Sequence, residues 1–264
     1  MNFLGQNAAL IGHTGFVGSN LAAQGNYSAL FNSRNIADIA GKSFDTIVCA
    51  GVQAVKWKAN KEPEADWAGI EKLLQPLAAA KAARFILLST IDVYASPNGV
   101  TEDVLPTKEN HAYGRHRLMV EEFVRDRFAN HHMIRLPGLF GPGLKKNVIF
   151  DLLHDNCLDA IQPLSSFQYY DLQHLTADLE KMVRENIRML NLATEPVSTK
   201  AILENFAPEK PVGSNAGAPA HYDFRSKYDA LWNCHGGYLY DAATVLREIG
   251  EFMRAESEHL NKTL

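Results

Sequence analysis

Ala8-Ala9-Leu10-Ile11-Gly12-His13-Thr14-Gly15-Phe16-Val17-Gly18 is the stretch whose reading decides the fold. An apolar run stops at a glycine, two more glycines follow at three-residue spacing, and Val17, Leu21 and Ala22 then fall on one helical face. The pattern is a strand, a tight turn and a helix start. Such a turn lets a pyrophosphate approach the backbone and accept from the unpaired N–H groups of a helix N-terminus. Gly12, His13, Thr14, Gly15, Phe16, Val17 and Gly18 are therefore candidate dinucleotide contacts. The spacing is Gly-x-x-Gly-x-x-Gly, not the Gly-x-Gly-x-x-Gly of many dehydrogenases, and a structural turn would use the same residues. Its position favours the dinucleotide, because it ends the first strand of an alternating β/α pattern.

Working outward, strands are expected at Ala8–Gly12, Tyr27–Phe31, Asp45–Cys49, Arg84–Ser89 and His132–Leu136, with a helical turn at Ile36–Ala40. Helices are expected at Val17–Gln24, Pro63–Lys81 (apolar at Trp67, Ile70, Leu73, Leu74 and Leu77) and Tyr113–Phe128 (Leu118, Val120 and Val124 inward). Alternation of this kind predicts an α/β fold, a Rossmann-like doubly wound parallel sheet covered on both faces. Ligands of such sheets bind at the carboxyl ends of the strands. After about Pro142 the pattern changes: helices at Val148–Leu153 and Leu175–Met189, a strand at Leu190–Ala193, a turn-rich loop at Pro208–Ala220 and a last helix at Ala242–Ala255. The expected organisation is residues 1–145 as the dinucleotide-binding part and 146–264 as a smaller substrate-binding lobe integrated with it.

The 264 residues are 46% hydrophobic, and the net charge of −4 is carried by interspersed charges. No basic stripe with interleaved aromatics argues for nucleic acid, and no apolar stretch or leader argues for a membrane. Cys49, Cys157 and Cys234 are odd in number and far apart, which gives neither a disulfide framework nor a zinc spacing. A reducing cytoplasmic compartment is expected. Asp151-x-x-His154-Asp155 is read as a helix surface, not a metal site.

Three further segments carry the argument beyond the glycines: Leu88-Ser89-Thr90-Ile91-Asp92-Val93-Tyr94, Tyr113-Gly114-Arg115-His116-Arg117 and Arg135-Leu136-Pro137-Gly138-Leu139-Phe140-Gly141-Pro142. In order and spacing the chain resembles the extended short-chain dehydrogenase/reductase family of nucleotide-sugar epimerases, dehydratases and reductases, well over the first 145 residues and in outline beyond. The resemblance implies Tyr113 as the acid/base and Thr90, with Ser89 as fallback, as the hydroxyl that holds the substrate oxygen. It also implies cofactor contacts from Tyr113, Arg117, Pro137, Gly138 and Leu139. An unperturbed tyrosine, with a pKa of about 10, must have it brought down to act as a base, and a nearby cation and the oxidised nicotinamide are the available sources.

The chain departs from that family at two positions. Tyr-x-x-x-Lys is replaced by Tyr-x-x-x-Arg: Arg117 lies four residues from Tyr113 on one helical face, stays protonated, and is expected to bind the nicotinamide ribose and favour phenolate. Arg115 and His116 read as helix surface. Where many relatives carry an asparagine, this chain has Gly138, which weakens the case for a nucleoside-diphosphate sugar. The second strand ends Phe31-Asn32-Ser33-Arg34-Asn35 without a carboxylate. Arg34, with Asn32 and Ser33, would attract a 2′-phosphate, so NADP(H) is expected over NAD(H), with Asp38 as the residue that would reverse the choice. Cys49, Ala50 and Gly51 end the third strand where a backbone can approach the adenosine half.

Lys56-Trp57-Lys58, Lys145-Lys146 and Gln168-Tyr169-Tyr170 are open between cleft and surface. The expected activity is hydride transfer between nicotinamide and a carbonyl or alcohol carbon of a sugar or nucleotide-sugar, by a reductase or an epimerase/dehydratase. A non-catalytic NAD(P)-binding redox sensor or regulatory protein is the alternative. The partner is a sugar-like small molecule, and Pro63–Lys81 with Tyr113–Phe128 could form a homodimer interface or remain in a monomer.

Overall fold

The computed structural model describes residues 3–263, with side chains described to Leu260. In chain order the strands are β1 (Ala8–Ile11), β2 (Ala29–Phe31), β3 (Ser43–Cys49), β4 (Lys81–Thr90), β5 (His131–Leu136), β6 (Gly138–Phe140), β7 (Ser166–Phe167), β8 (Tyr169–Asp171), β9 (Met189–Asn191) and β10 (Val197–Ser198). The helices are α1 (Phe16–Gln24), α2 (Lys56–Lys61), α3 (Pro63–Ala79), α4 (Ala112–Arg127), α5 (Val148–His154), α6 (Leu175–Arg184), α7 (Thr199–Phe206) and α8 (Ala242–Thr263).

The chain divides into two compact units, neither contiguous in sequence. The first comprises Met1–Ser96, Val104–Leu136 and Gln173–Asn191. It holds a six-stranded sheet in the order β2-β1-β3-β4-β5-β9, with every pair parallel. Alternate strand residues face opposite sides. Ala9, Ile11, Ile47, Phe85, Leu87 and Met133 join one core with Ile70, Leu73 and Leu77 of α3 and Val120 and Val124 of α4. Leu10, Val48, Ile86 and Ile134, on the other face, are equally buried. Burial on both faces explains why these strands read as unbroken apolar runs.

The second unit comprises Pro97–Asp103, Pro137–Leu172 and Leu192–Leu264. Its core gathers Phe140, Ile149, Leu152, Tyr169, Ile202, Val245 and Ile249. Two small sheets, β6 with β8 and β10 with β7, support it. In place of a single break near residue 145, the chain leaves the first unit after Leu136 and returns to it for α6 and β9. The expected helix over Leu175–Met189 stops at Arg184, because Met189–Asn191 is needed as the sixth strand, paired to Met133–Arg135.

Candidate functional site

At the first site each glycine of the turn is there for a different reason. Gly12 has φ +86°, and a Cβ on it would lie 2.5 Å from the Ala50 carbonyl oxygen. A Cβ on Gly18 would lie 2.0 Å from the Gly12 carbonyl oxygen, so the start of α1 packs directly on the turn. Gly15 is different: its Cβ would meet only the Gly12 oxygen, at 3.4 Å, in otherwise open space. Gly15 also precedes α1 with no side-chain cap, which leaves first-turn N–H groups for an outside acceptor. A pyrophosphate fits this combination of open space at Gly15 and uncapped helix. Gly51 approaches Ile11, where a Cβ would come within 2.9 Å of Cγ2, and Ala50 N–H donates to the Ile11 carbonyl. Cys49 is a core residue whose thiol burial pushes up to about 11, so it is no nucleophile.

At the end of β2, Arg34 and Ser33 are exposed. Asn32 is partly committed: its Oδ1 accepts the Arg34 N–H at 2.9 Å and its Nδ2 lies 3.2 Å from His13 Nε2. This loop therefore offers Arg34 and Ser33 outward while Asn32 ties it to the glycine turn. Asp38 is also exposed, on the single 3-10 turn Ile36–Ile39.

The second cluster lies at the carboxyl end of β4. Thr90 caps the turn after the strand by accepting the Asp92 N–H on its Oγ1 at 3.2 Å, and it hydrogen-bonds the side chain of Tyr113. Tyr113 enters from the first turn of α4, which His111 starts by accepting the Gly114 N–H at 3.0 Å. The Tyr113 N–H is itself held by Asn60 Oδ1 at 2.9 Å. Gly114 is required by packing, since a Cβ there would sit 2.1 Å from the Asp92 carbonyl oxygen.

Ser89 is the first correction. Its hydroxyl donates to Glu121 at 2.6 Å in a buried network, where Glu121 also binds Arg135 and Arg135 donates to the Tyr94 hydroxyl at 2.6 Å. Successive residues of a strand point to opposite faces, so Ser89 turns away from Thr90. It serves the structure, which leaves Thr90 as the candidate of the two.

Arg117 is the second. It is buried, with its guanidinium carbon 4.0 Å from the centre of the Tyr113 ring. Nη1 donates to Asp66 Oδ2 at 2.5 Å and to the Tyr113 carbonyl at 3.4 Å. Nη2 donates to Asp66 Oδ1 at 2.9 Å and to the Gln53 carbonyl. Four of the five guanidinium donors are thus used within the chain, and the fifth, on Nε, is buried without a hydrogen-bond partner among the described residues. The one donor left over is itself buried, so the guanidinium presents no exposed donor to a ribose. His116, expected on the surface, is buried as well, with Nδ1 2.8 Å from Asp66 Oδ2. Burial pushes the Asp66 carboxyl up, but the hydrogen bonds and charges of Arg117 and His116 more than offset this and hold it below its ordinary range.

The third correction concerns the phenol. Burial is the largest influence on Tyr113 and pushes it above its ordinary value; Asp92 adds to the rise. Arg117, the Thr90 hydrogen bond and Lys56 oppose it without overcoming it. Within the chain alone the phenolate is therefore disfavoured, and Tyr113 stands as a neutral O–H donor.

Pro137, Gly138 and Leu139 belong to the second unit. Gly138 starts β6, its N–H donates to the Gln168 carbonyl at 3.1 Å, and a Cβ on it would lie 2.9 Å from that oxygen. Asparagine has no room there, which accounts for the second departure from the family pattern. Gln168, Tyr169 and Tyr170, considered as cleft residues, are all buried. Gln168 donates to the Thr194 and Phe224 carbonyls and accepts the Phe224 N–H, so it clamps the second unit's chain together. Sequence reasoning missed Asp66 and Asn60, which carry no motif and are recruited by geometry, and assigned no role to Asp92 within its segment. Glu121 gave one signal, a carboxylate in mid-helix, which only the buried Arg135 explains.

No helix of the described residues is long and apolar enough to cross a membrane. No curated protein matches the chain. Among solved structures it is similar to MoeE5 in complex with UDP-glucose and NAD, at 15% identity and TM-score 0.71, over 97% of this chain and 100% of that one. It is similar to a dTDP-4-dehydrorhamnose reductase from Bacillus anthracis in complex with NADP, at 15% identity and TM-score 0.70, over 95% and 98% of the two chains. A UDP-glucose 4-epimerase from Thermotoga maritima with UDP-glucose gives 14% identity and TM-score 0.69, over 97% and 100%. These are likenesses of fold. The family model for the NAD dependent epimerase/dehydratase family matches residues 8–160, which include the glycine turn, Thr90 and Tyr113. With a nucleotide-shaped turn on β1, a hydroxyl pair on β4 and α4, and a family match over more than half of its length, the chain belongs to the NAD-dependent epimerase/dehydratase family and is an NAD(P)-dependent enzyme.

Proposed function

We propose that this enzyme is an NADP(H)-dependent reductase of a sugar-like carbonyl, with a nucleotide-sugar as the substrate class. The observation that carries the reading is the pair formed by Tyr113 and Thr90. A neutral tyrosine hydroxyl hydrogen-bonded to a threonine hydroxyl is arranged to hold a carbonyl oxygen and to give it a proton. Bound dinucleotide supplies the hydride; the chain supplies position and the proton. Burial keeps the phenol of the chain itself in the protonated form, the form that gives a proton to a carbonyl oxygen in a reduction. The glycine turn and uncapped α1 would hold the pyrophosphate. Arg34 and Ser33, outward at the end of β2, would meet a 2′-phosphate, and no carboxylate stands on that strand to repel it.

A charge-assisted contact from Arg34 is worth about 1.5–3 kcal/mol, roughly a tenfold to hundredfold preference. Titration of nicotinamide fluorescence with NADPH and NADH should show tighter NADPH binding that Arg34→Ala weakens tenfold or more, with NADH unaffected. Equal binding of both cofactors by the parent would overturn the NADP assignment. The regulatory alternative rested on the missing lysine and on Gly138, and Gly138 is accounted for by packing against Gln168.

A further inference from the structure

Titratable and charged groups from four elements are packed around Tyr113. From α4 come Arg117, stacked on the ring, and His111 just before the helix, its ring centre 6.3 Å from that of Tyr113. From α3 comes Asp66, which matches the charge of Arg117. From the turn after β4 comes Asp92, and from α2 comes Lys56, whose Nζ lies 2.8 Å from Asp92 Oδ1. The last two are built into the same framework as the hydroxyl pair. Lys56 and Asn60 are four residues apart, on one face of α2. Asn60 fastens that face to the Tyr113 N–H, and Lys56, one turn earlier, meets Asp92, whose N–H is held by Thr90.

We propose that Lys56, held by Asp92, is a second positioning cation for Tyr113 beside the buried Arg117, and that it eases release of the Tyr113 proton from the solvent side of the site. The proposal rests on the reading of Tyr113 as the proton donor. Arg117 is sealed in by Asp66 and Gln53 and remains protonated, so it exchanges no proton with solvent. Lys56 is a rotatable ammonium, 38% exposed, beside an Asp92 side chain that is 17% exposed. It reaches water. The two charges act on the phenol in opposite directions: Lys56 eases its ionisation and Asp92 resists it.

Opposite signs give a test that a merely structural role would not pass. With 3,5-difluorotyrosine at position 113, whose more acidic phenol titrates where the fold persists, ionisation is followed by 19F NMR in the chain without cofactor. Lys56→Met should raise the midpoint by roughly half a unit to one unit, the order expected of one partly screened charge several ångström away. Asp92→Asn should lower it, and Lys56→Arg should stay near the parent because the charge is kept. An unchanged midpoint in Lys56→Met, or shifts of the same sign in Lys56→Met and Asp92→Asn, would overturn the proposal. NADPH titration of the same proteins separates the two levels. If the midpoints move as stated but the parent binds neither dinucleotide, the reductase reading fails while the coupling of Lys56 to Tyr113 stands.

Discussion

The sharpest test of the dinucleotide site lies in the contrast between two glycines three residues apart. Gly15→Ala places a methyl group where only the Gly12 carbonyl oxygen is near, at 3.4 Å, and Gly15 already has φ −83° and ψ 170°, which alanine adopts freely. The folded chain should not resist the change, and the loss of glycine's freedom in the unfolded chain is worth about 0.4–1 kcal/mol in its favour. Gly18→Ala drives its methyl to 2.0 Å from the Gly12 carbonyl oxygen and 2.6 Å from the carbonyl carbon, both backbone atoms that cannot swing aside. Overpacking of this kind costs about 1–3 kcal/mol or more. At about 2–4 °C per kcal/mol for a chain of this size, the Gly18 variant should melt several degrees lower and the Gly15 variant at or slightly above the parent. Cofactor binding should not follow stability. If the pyrophosphate sits on the start of α1, the Gly15 methyl occupies its place, and NADPH affinity should fall at least tenfold, about 1.4 kcal/mol, in a protein that is fully folded. Differential scanning calorimetry and nicotinamide fluorescence titration on the same samples measure both quantities. A Gly15→Ala protein that binds NADPH as the parent does would refute the placement of the phosphates.

Other outcomes follow from buried groups. Asp66→Asn leaves the Arg117 charge buried without its counter-ion, so it should cost about 3–5 kcal/mol in urea unfolding, while a double replacement of Asp66 and Arg117 by apolar residues of similar volume should recover most of that loss. Because the Asp66 carboxyl is held below its ordinary range in the folded protein, its contribution is complete above the unfolded value of about 4 and is lost as pH falls through the folded one. The parent should therefore lose stability on acidification below about pH 4, and Asp66→Asn should lose less over that interval; identical acid slopes would show that Asp66 is not depressed. Gly138→Asn, which restores the residue of many relatives, should fail as a gain of function. Its Cβ would lie 2.9 Å from the Gln168 carbonyl oxygen, and a fall of about 1–3 kcal/mol in stability is the expected outcome.

How far the sequence disclosed these features depended on how local each one is. The parallel sheet was legible because each strand is buried on both faces and writes an apolar run, and because α3 and α4 repeat their core residues at helical spacing. The 3-10 turn at Ile36–Ile39 and the loop at Pro208–Ala220 were legible from turn chemistry. The short elements were not: α2 has six residues, β7 and β10 two each, and none is long enough to show a period. The true extent of α6 was hidden because β9 follows after a four-residue break and is only three residues long. At the site, Thr90 and Tyr113 could be named from their segments, but their chemistry could not. The pattern Tyr-x-x-x-Arg says that a cation sits one turn from the tyrosine and says nothing of where its charge goes. Asp66 is 51 residues away from Arg117 and Gln53 64 residues away, and these two decide that the guanidinium is a structural tie. The same is true of the phenol. A sequence lists the cations near Tyr113, which argue for phenolate, while the burial that outweighs them is a property of the packed chain. The substitution of arginine for lysine therefore moves the search for the proton's route to a helix that carries no motif, where Asn60 holds the tyrosine's backbone and Lys56 stands one turn away against Asp92.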